Sequence, residues 1–421
     1  MMKFYLIGIK GSGMASLAHL LIDDGYEVCG SDVDSYIFTQ DRLLKRNIKI
    51  NPLSDTSFLN GYFVIVGHDF IDEFLIKQFK EKQIPFMEYH KFLSFYLNKN
   101  KLVAISGSHG KTTLTGLLAF ASDKSSVLRG DGYGRKRKNE DFFFLESCEY
   151  KDHFLTYQPN FIFITNIDYD HVDYFLHEED YINSFKKFAK KTHCGLIDYD
   201  SFYKINNPYF FTYGLDDRAD FYAEDYTFDE KGIRGKIYFQ TEKITEFAFD
   251  NLFGIPLIKD VVGVIAFYFL NHYDLEEVKR RLAKFKMADK RFNVLKNKKY
   301  VVIDDYAHHP TQIDVNYQNV KTMFKDYVTI AVYKPDRPSR VKKFLLEFQK
   351  NLSKFDLAFV TDFNDKKNVE LLKQLENEKI VYLPDLKLLP SYLQKNKKYV
   401  FSLMSSKNLN EVKEIVKYYF K

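Results

Sequence analysis

Apolar runs recur at short intervals through the first hundred residues: "KFYLIGI", "GYEVCGSD", "YFVIVGHDF" and "IPFMEYH". Stretches of mixed polarity that suit helices separate them, which is the rhythm of a parallel α/β unit. The pattern restarts at "KLVAISGSHGKTTLTGLLAF", where a buried-looking strand, a glycine loop and a helix recur, followed by the strands "FFFLES" and "NFIFITNID". "GIRGKIYFQTEKITEFAF" reads as a hairpin of antiparallel strands inserted in this second unit. A third unit opens at "KYVVIDDYAHHP" and alternates through "YVTIAVYKP", "LAFVTDF", "KIVYLPD" and "YVFSLM", after the polar connector "KFKMADKRF". The expected architecture is α/β in three domains, 1–100, 101–289 and 290–421. The basic segment "RGDGYGRKRKNED" is expected to be a mobile loop.

Length agrees with this division, because 421 residues exceed what one hydrophobic core organises. No apolar run is long enough to span a bilayer, and "MMKFYLIGIKGSG" passes into a glycine loop without the pattern of a signal peptide, so a cytoplasmic protein with no membrane insertion is expected. The three cysteines, Cys29, Cys148 and Cys194, are far apart and suggest neither a disulfide framework nor structural zinc. A net charge of +5 spread along the chain suits an anionic small substrate and lacks the basic stripe of a nucleic-acid binder.

Two glycine loops carry the chemistry. The first, "LIGIKGSGMASL", follows a strand and opens a helix, but Gly8, Gly11 and Gly13 are spaced G-x-x-G-x-G, whereas a dinucleotide fingerprint is G-x-G-x-x-G. A tight turn without ligand and a different phosphate ligand both stay open, and Asp32 after the next apolar run could meet a ribose hydroxyl. The second loop, "GSHGKTT", is close to a P-loop: Gly107, Ser108, His109, Gly110 and Thr113 would cradle phosphates by their backbone N–H groups. Lys111 would meet the β- and γ-phosphates, and Thr112 could ligate Mg2+. The loop is shorter than the usual G-x-x-x-x-G-K-[ST], with Ser106 as its small first residue. Further donors stand at expected strand ends: Glu146 and Glu149 after "FFFL", and Asn166, Asp168, Asp170 and His171 after "NFIFI". In the third unit Asp304, Asp305, His308 and His309 follow an apolar strand, which is also what a capped helix before Pro310 would look like. Arg337 and Arg340 in "VYKPDRPSR" suit a carboxylate or a phosphate.

Taken together, "GIKGSGMASLAHLL", "GYEVCGSD", "GSHGKTT", "ESCEYKDHFLTYQP", "TNIDYDHVDYF" and "DDYAHHPT" resemble the Mur ligases, most closely their alanine-adding members of the Gram-positive type. They occur in family order over nearly the whole chain. The resemblance implies a Rossmann-like N-terminal domain for a UDP-sugar, a central P-loop ATPase domain, and a Rossmann-like C-terminal domain that binds the incoming amino acid. It implies an ATP- and Mg2+-dependent reaction of peptidoglycan precursor synthesis, in which L-alanine joins UDP-N-acetylmuramate through an acyl phosphate with release of ADP and phosphate. By motif, Lys111 would neutralise the transferring phosphoryl, and Thr112, Glu146 and His171 would hold magnesium. Arg291 would lie near the ATP phosphates and Asp305 at the ribose. Arg340 would face the amino acid carboxylate, with His308 or His309 near the incoming amine. Gly11, Ser12, Gly13 and Met14 would surround the UDP diphosphate, with Asp32 nearby. A monomer and a homodimer are both compatible with the resemblance.

The chain departs from the family pattern at several points. Where an H-N-x-x-N adenine motif is expected, "GIPLIKDVVGV" has Pro256 and Leu257, with Asp260 in place of the last Asn. Asp336 stands for a usual His, and a glycine-rich C-terminal stretch reads "MSSKN". Lys186 lies at the spacing where sister ligases carry a carbamylated lysine, although an exposed helix lysine fits it as well. Three alternatives follow: a family member that binds UDP-sugar without ligating, a recycling ligase that attaches a whole tripeptide, and a nicotinamide oxidoreductase, which leaves "GSHGKTT" unexplained.

Overall fold

Strands that are covered on both faces read as unbroken apolar runs, and Leu102–Ser106, buried at every position, is one of them. The computed structural model describes residues 2–54, 61–287, 290–297, 299–363 and 368–420. Among these the strands form three sheets. Residues 288–289 of the polar connector lie outside the described residues.

The first sheet has five strands in the spatial order Lys49–Pro52, Glu27–Asp32, Lys3–Ile7, Phe63–Val66 and Phe86–Glu88. All its pairings are parallel. Chain order reverses beside Lys3–Ile7, so the loop after that strand sits at the switch point where open α/β sheets bind ligands. The helix Ser12–Asp23 follows at once, with Gly11 as its N-cap.

The second sheet has ten strands, with Leu102–Ser106 between Phe161–Ile164 and Phe142–Glu146. These pairings are parallel, so all three strands deliver their C-terminal ends to one edge. The helix Lys111–Phe120 is buried from Thr112 to Ala119, packed between this sheet and the helix Ile255–Leu270. The expected hairpin is present as Gly232–Phe239 and Glu242–Phe249, and Phe221–Asp229 joins it to the parallel part of the sheet. The third sheet runs Asn293–Lys296, Tyr300–Asp305, Tyr399–Met404, Val328–Tyr333, Leu357–Val360 and Ile380–Tyr382, parallel except for its first strand. No described helix is long and apolar enough to cross a membrane.

The segment from Arg129 corrects one expectation. Instead of a loose loop, it is a clasp between the first two domains. Ser16 Oγ donates to Arg129 O at 2.7 Å, Lys136 N donates to Asp23 Oδ2 at 2.9 Å, and Arg42 donates to Asp131 O at 3.0 Å. Gly134–Arg135 adds a short strand beside Ser125–Leu128. It read as a solvated loop because the groups it clasps, Ser16, Asp23 and Arg42, lie about ninety to more than a hundred residues upstream, and they meet mainly its backbone, which its basic composition does not reveal.

Candidate active site

The second glycine loop owes its shape to two residues. Gly107 has φ +137°, and a Cβ there would stand 2.1 Å from Thr165 Oγ1; Gly110 has φ +82° and is the N-cap of Lys111–Phe120. No side chain caps that helix, so its first N–H groups stay free for an anion. The neighbouring strand end fixes the rest of the loop. Ser108 Oγ donates to Asp168 O at 2.6 Å and accepts from Asp168 N at 2.8 Å, while His109 N donates to Asn166 Oδ1 at 2.9 Å.

Lys111 points back over the loop, donating to Gly107 O and Ser108 O. Its Nζ lies 2.9 Å from Glu149 Oε2, and His171 Nε2 lies 3.3 Å from Glu149 Oε1. Glu149 is fully buried, which alone would raise its carboxyl, but the Lys111 ammonium and His171 outweigh burial and hold it below its ordinary value. Lys111 is likewise raised, because Glu149 outweighs its own burial. The pair is charged. Sequence reading had Glu149 only among possible metal ligands; its engagement of Lys111 could have been suspected from its place just beyond a strand end.

Thr112 Oγ1 donates to Glu146 Oε1 at 2.9 Å, and Gly130 N donates to Glu146 Oε2 at 2.6 Å. Burial pushes Glu146 above the ordinary carboxyl range, against these two donors and Lys111. A hydroxyl and a carboxylate held together in this way are hard donors of the kind Mg2+ takes, and a cation would relieve the buried charge. Among the described residues no group of three His, Cys, Asp or Glu could hold a metal by itself. That suits an ion that keeps waters and phosphate oxygens as its other ligands. His171 Nδ1 is buried without a hydrogen-bond partner, as are His109 Nε2 and His309 Nε2. Three imidazole nitrogens around the loop are therefore available to a ligand.

The third domain reaches this site from above the strand ends. Arg291 donates to Thr112 Oγ1 at 3.2 Å. Asp305 is half-buried and raised by desolvation, with Asn316 Nδ2 donating to it at 2.7 Å. His309 is the N-cap of Pro310–Met323 in a capping box with Gln312, so the helix-cap reading applies with His rather than Asp as the cap. The His309 ring lies 4.9 Å from that of His109. His308 Nδ1 donates to Tyr306 O at 2.7 Å, and burial beside Arg340 lowers it to about 4.

Arg340 requires a correction. By resemblance it would face the amino acid carboxylate; in the structure its guanidinium is buried and shared by two protein carboxylates. Nε donates to Asp170 Oδ1 at 3.0 Å, Nη2 to Asp170 Oδ2 at 3.1 Å, and Nη1 to Asp336 Oδ1 at 2.8 Å. The aspartate that replaces a usual His thus closes the arginine off. Asp32 is corrected as well: it accepts from Lys10 N at 2.6 Å and Val33 N at 2.8 Å, so it braces the first glycine loop instead of offering itself to a ribose. Gly11, Ser12, Gly13 and Met14 form the first turn of the adjoining helix, which no side chain caps. Lys186 is exposed on Glu178–Ala189, as its alternative reading had it.

Beside the phosphate loop lies a cavity of about 500 Å3 between the central and third domains. His109, Gly110 and Thr113 line it together with Arg291 and Asp305, and Pro256, Leu257 and Asp260 line it from the helix Ile255–Leu270. A nucleoside fits a space of this size.

The sequence matches three family models: "Mur ligase family, catalytic domain" over residues 3–101, "Mur ligase middle domain" over 132–266, and "Mur ligase, glutamate ligase domain" over 290–400. Among solved structures, the UDP-N-acetylmuramate-alanine ligase of Thermotoga maritima superposes with a TM-score of 0.82 at 22% identity, covering 100% of this chain and 99% of that one. A murein peptide ligase from Psychrobacter arcticus gives 0.69 at 16% identity, with 100% and 99% covered. The MurF ligase of Thermotoga maritima in complex with ADP gives 0.66 at 15% identity, with 93% and 95% covered.

Proposed function

The chain belongs to the Mur ligase family of ATP-dependent peptidoglycan ligases, and from that premise we propose that it joins L-alanine to the lactyl carboxylate of UDP-N-acetylmuramate. The observation that carries this reading is the meeting of Lys111, Thr112, Glu146 and Arg291 at one loop, with a nucleoside-sized cavity beside it.

A carboxylate is a poor electrophile, so it needs activation before an amine can attack. ATP would lie with its phosphates on the N–H groups of residues 107–113 and its nucleoside in the cavity, where Asp305 would take the ribose. Lys111, held charged, would neutralise the γ-phosphoryl as the lactyl carboxylate attacks it and ADP leaves. Thr112 and Glu146, with His171 alongside, would hold Mg2+, which supplies charge neutralisation between the phosphates and the carboxylate. Arg291 would stabilise the same developing charge from the third domain. The amine of L-alanine would then attack the acyl phosphate and expel phosphate from a tetrahedral state. His308 and His309, both lowered to about 4 chiefly by burial, are neutral at physiological pH. His308, whose Nδ1 donates to Tyr306 O, would accept a hydrogen bond from that amine at Nε2. His309, whose Nδ1 accepts from Thr311 N, would present an N–H there. UDP would occupy the first glycine loop at the switch point of the first sheet.

Phosphate release from ATP in the presence of UDP-N-acetylmuramate and Mg2+ tests the proposal. Release is expected only when L-alanine is added; release with neither substrate would overturn it. The similarity to a murein peptide ligase favours a second reading, in which a whole tripeptide is attached. Turnover with tripeptide in place of alanine would select that reading.

A further inference from the structure

A second cavity, of about 350 Å3, lies along the phosphate-loop helix Lys111–Phe120 and shares no lining residue with the first. The clasp segment and the connector to the third domain wall it, and they bring charge of one sign: Arg129, Arg135, Lys284 and Lys286 line it, and no carboxylate does. Three rings complete the lining. Phe120 and Phe285 meet edge to face with centroids 5.5 Å apart, and the Arg129 guanidinium lies 4.8 Å from the centre of the Tyr133 ring. Gly116 permits this approach from the middle of a helix, where glycine is less favourable than alanine: a Cβ there would stand 3.0 Å from Arg129 Nη1 and 3.2 Å from Phe285 Cζ. Among the described residues only one of the four cations has a carboxylate. Arg129 is held by Asp131, at 3.0 Å through Nε and again through Nη2. Arg135 donates to Ala119 O at 3.0 Å and Ser125 O at 3.2 Å, while the nearby Asp123 is taken by Arg281. Lys284 and Lys286 are exposed and form no ion pair among the described residues.

We propose that this second cavity is a binding site for a small phosphate ester of a planar ring, separate from both glycine loops. Like charges gathered around one hollow repel each other, and an anion between them relieves that repulsion. Guanidinium groups meet phosphate oxygens through parallel N–H donors, and the two ammonium groups at the mouth add point charge. The rings decide the rest of the ligand. Faces and edges of Phe and Tyr pack against a flat ring, which inorganic phosphate lacks. The volume lies at the small end of ligand pockets, which run from about 300 to 1,000 Å3, and so suits one ring with one phosphate. A ligand held there bridges the phosphate-loop helix to the connector, just before Arg291.

Isothermal titration of the full chain with phenyl phosphate, beside inorganic phosphate, tests the site. Phenyl phosphate is expected to bind about tenfold more tightly, because its ring is buried among the three aromatic side chains. Lys284→Glu combined with Lys286→Glu is expected to weaken it by about tenfold or more, and both positions are exposed, so the fold is kept. The same change of charge at Lys77 and Lys80, exposed on the helix Glu73–Glu81 of the first domain, is expected to weaken it by less than about twofold, since salt screens distant charges. Phe120→Ala is expected to lower the affinity for phenyl phosphate and leave that for inorganic phosphate unchanged. A phenyl phosphate affinity that the Lys284 and Lys286 pair does not alter, or alters no more than the Lys77 and Lys80 pair, places the anion elsewhere and overturns the proposal. Equal affinities for the two phosphates, or no binding of either, overturn it as well.

Discussion

Arg291 donates to Thr112 Oγ1 across 179 residues of sequence, so the polypeptide entering the third sheet touches the first turn of the phosphate-loop helix. Thr112 in turn donates to Glu146. A contact to a charged donor of this kind is worth about 1.5–3 kcal/mol. Arg291→Ala is therefore expected to lower kcat/KM for ATP by about tenfold to a hundredfold, with the thermal midpoint little changed. Steady-state kinetics at saturating second substrates check this; an unchanged kcat/KM would detach Arg291 from the phosphates.

Lys111→Ala removes the cation from a fully buried carboxylate as well as from the phosphates. Breaking a buried pair in this way costs about 3–5 kcal/mol. Loss of both activity and stability is expected. In the double variant Lys111→Ala with Glu149→Gln, much of the stability should return while phosphate release stays absent. Urea unfolding beside an activity assay distinguishes the two effects, and a double variant as unstable as the single one would contradict the pairing.

Arg340 and Asp170 join the third domain to the central one by two parallel hydrogen bonds at nearly full burial. Asp170→Asn removes one of the two acceptors and the charge, leaving Asp336 as the one carboxylate on the guanidinium among the described residues. Small-angle scattering of this variant is expected to give a larger radius of gyration than the parent protein, because the link holding the domains together is weakened. Equal radii would mean that other contacts hold the domains.

Several histidines make stability fall in mild acid. Burial, with His153 stacked 3.8 Å away, lowers His90 to about 3, and burial lowers His308 and His309 to about 4. A group whose folded value lies below its unfolded value of about 6.5 contributes stability that is present above that value and lost as pH falls from it toward the folded one. Asp170 is also lowered, chiefly by Arg340 against burial, but its contribution is intact above the ordinary aspartate value of about 4 and is lost progressively only below it, outside this range. Urea midpoints are expected to drop between pH 6.5 and 4.5, less steeply in His90→Gln. A flat profile over that range would show these imidazoles to be protonated in the folded chain.

The sequence made the local devices legible and hid the long-range ones. Gly107, Gly110 and Lys111 lie within one turn, so their spacing already told of a phosphate cradle, and the alternation from Gly232 to Phe249 told of antiparallel strands. Asp170 and Arg340 are separated by 170 residues, and nothing in the periodicity of either segment names the other. Arg340 therefore read as a free receptor. Asp32 misled for a related reason: a carboxylate after a strand looks the same in sequence whether it meets a ribose or two backbone N–H groups.

The central claim is amide-bond formation at the lactyl carboxylate. Mass spectrometry of UDP-N-acetylmuramate incubated with the protein, ATP, Mg2+ and L-alanine tests it most directly. The expected result is a gain of one alanyl residue, with one phosphate released per product, and no gain with Lys111→Ala. An unchanged nucleotide sugar while the folded protein binds ATP would contradict the account.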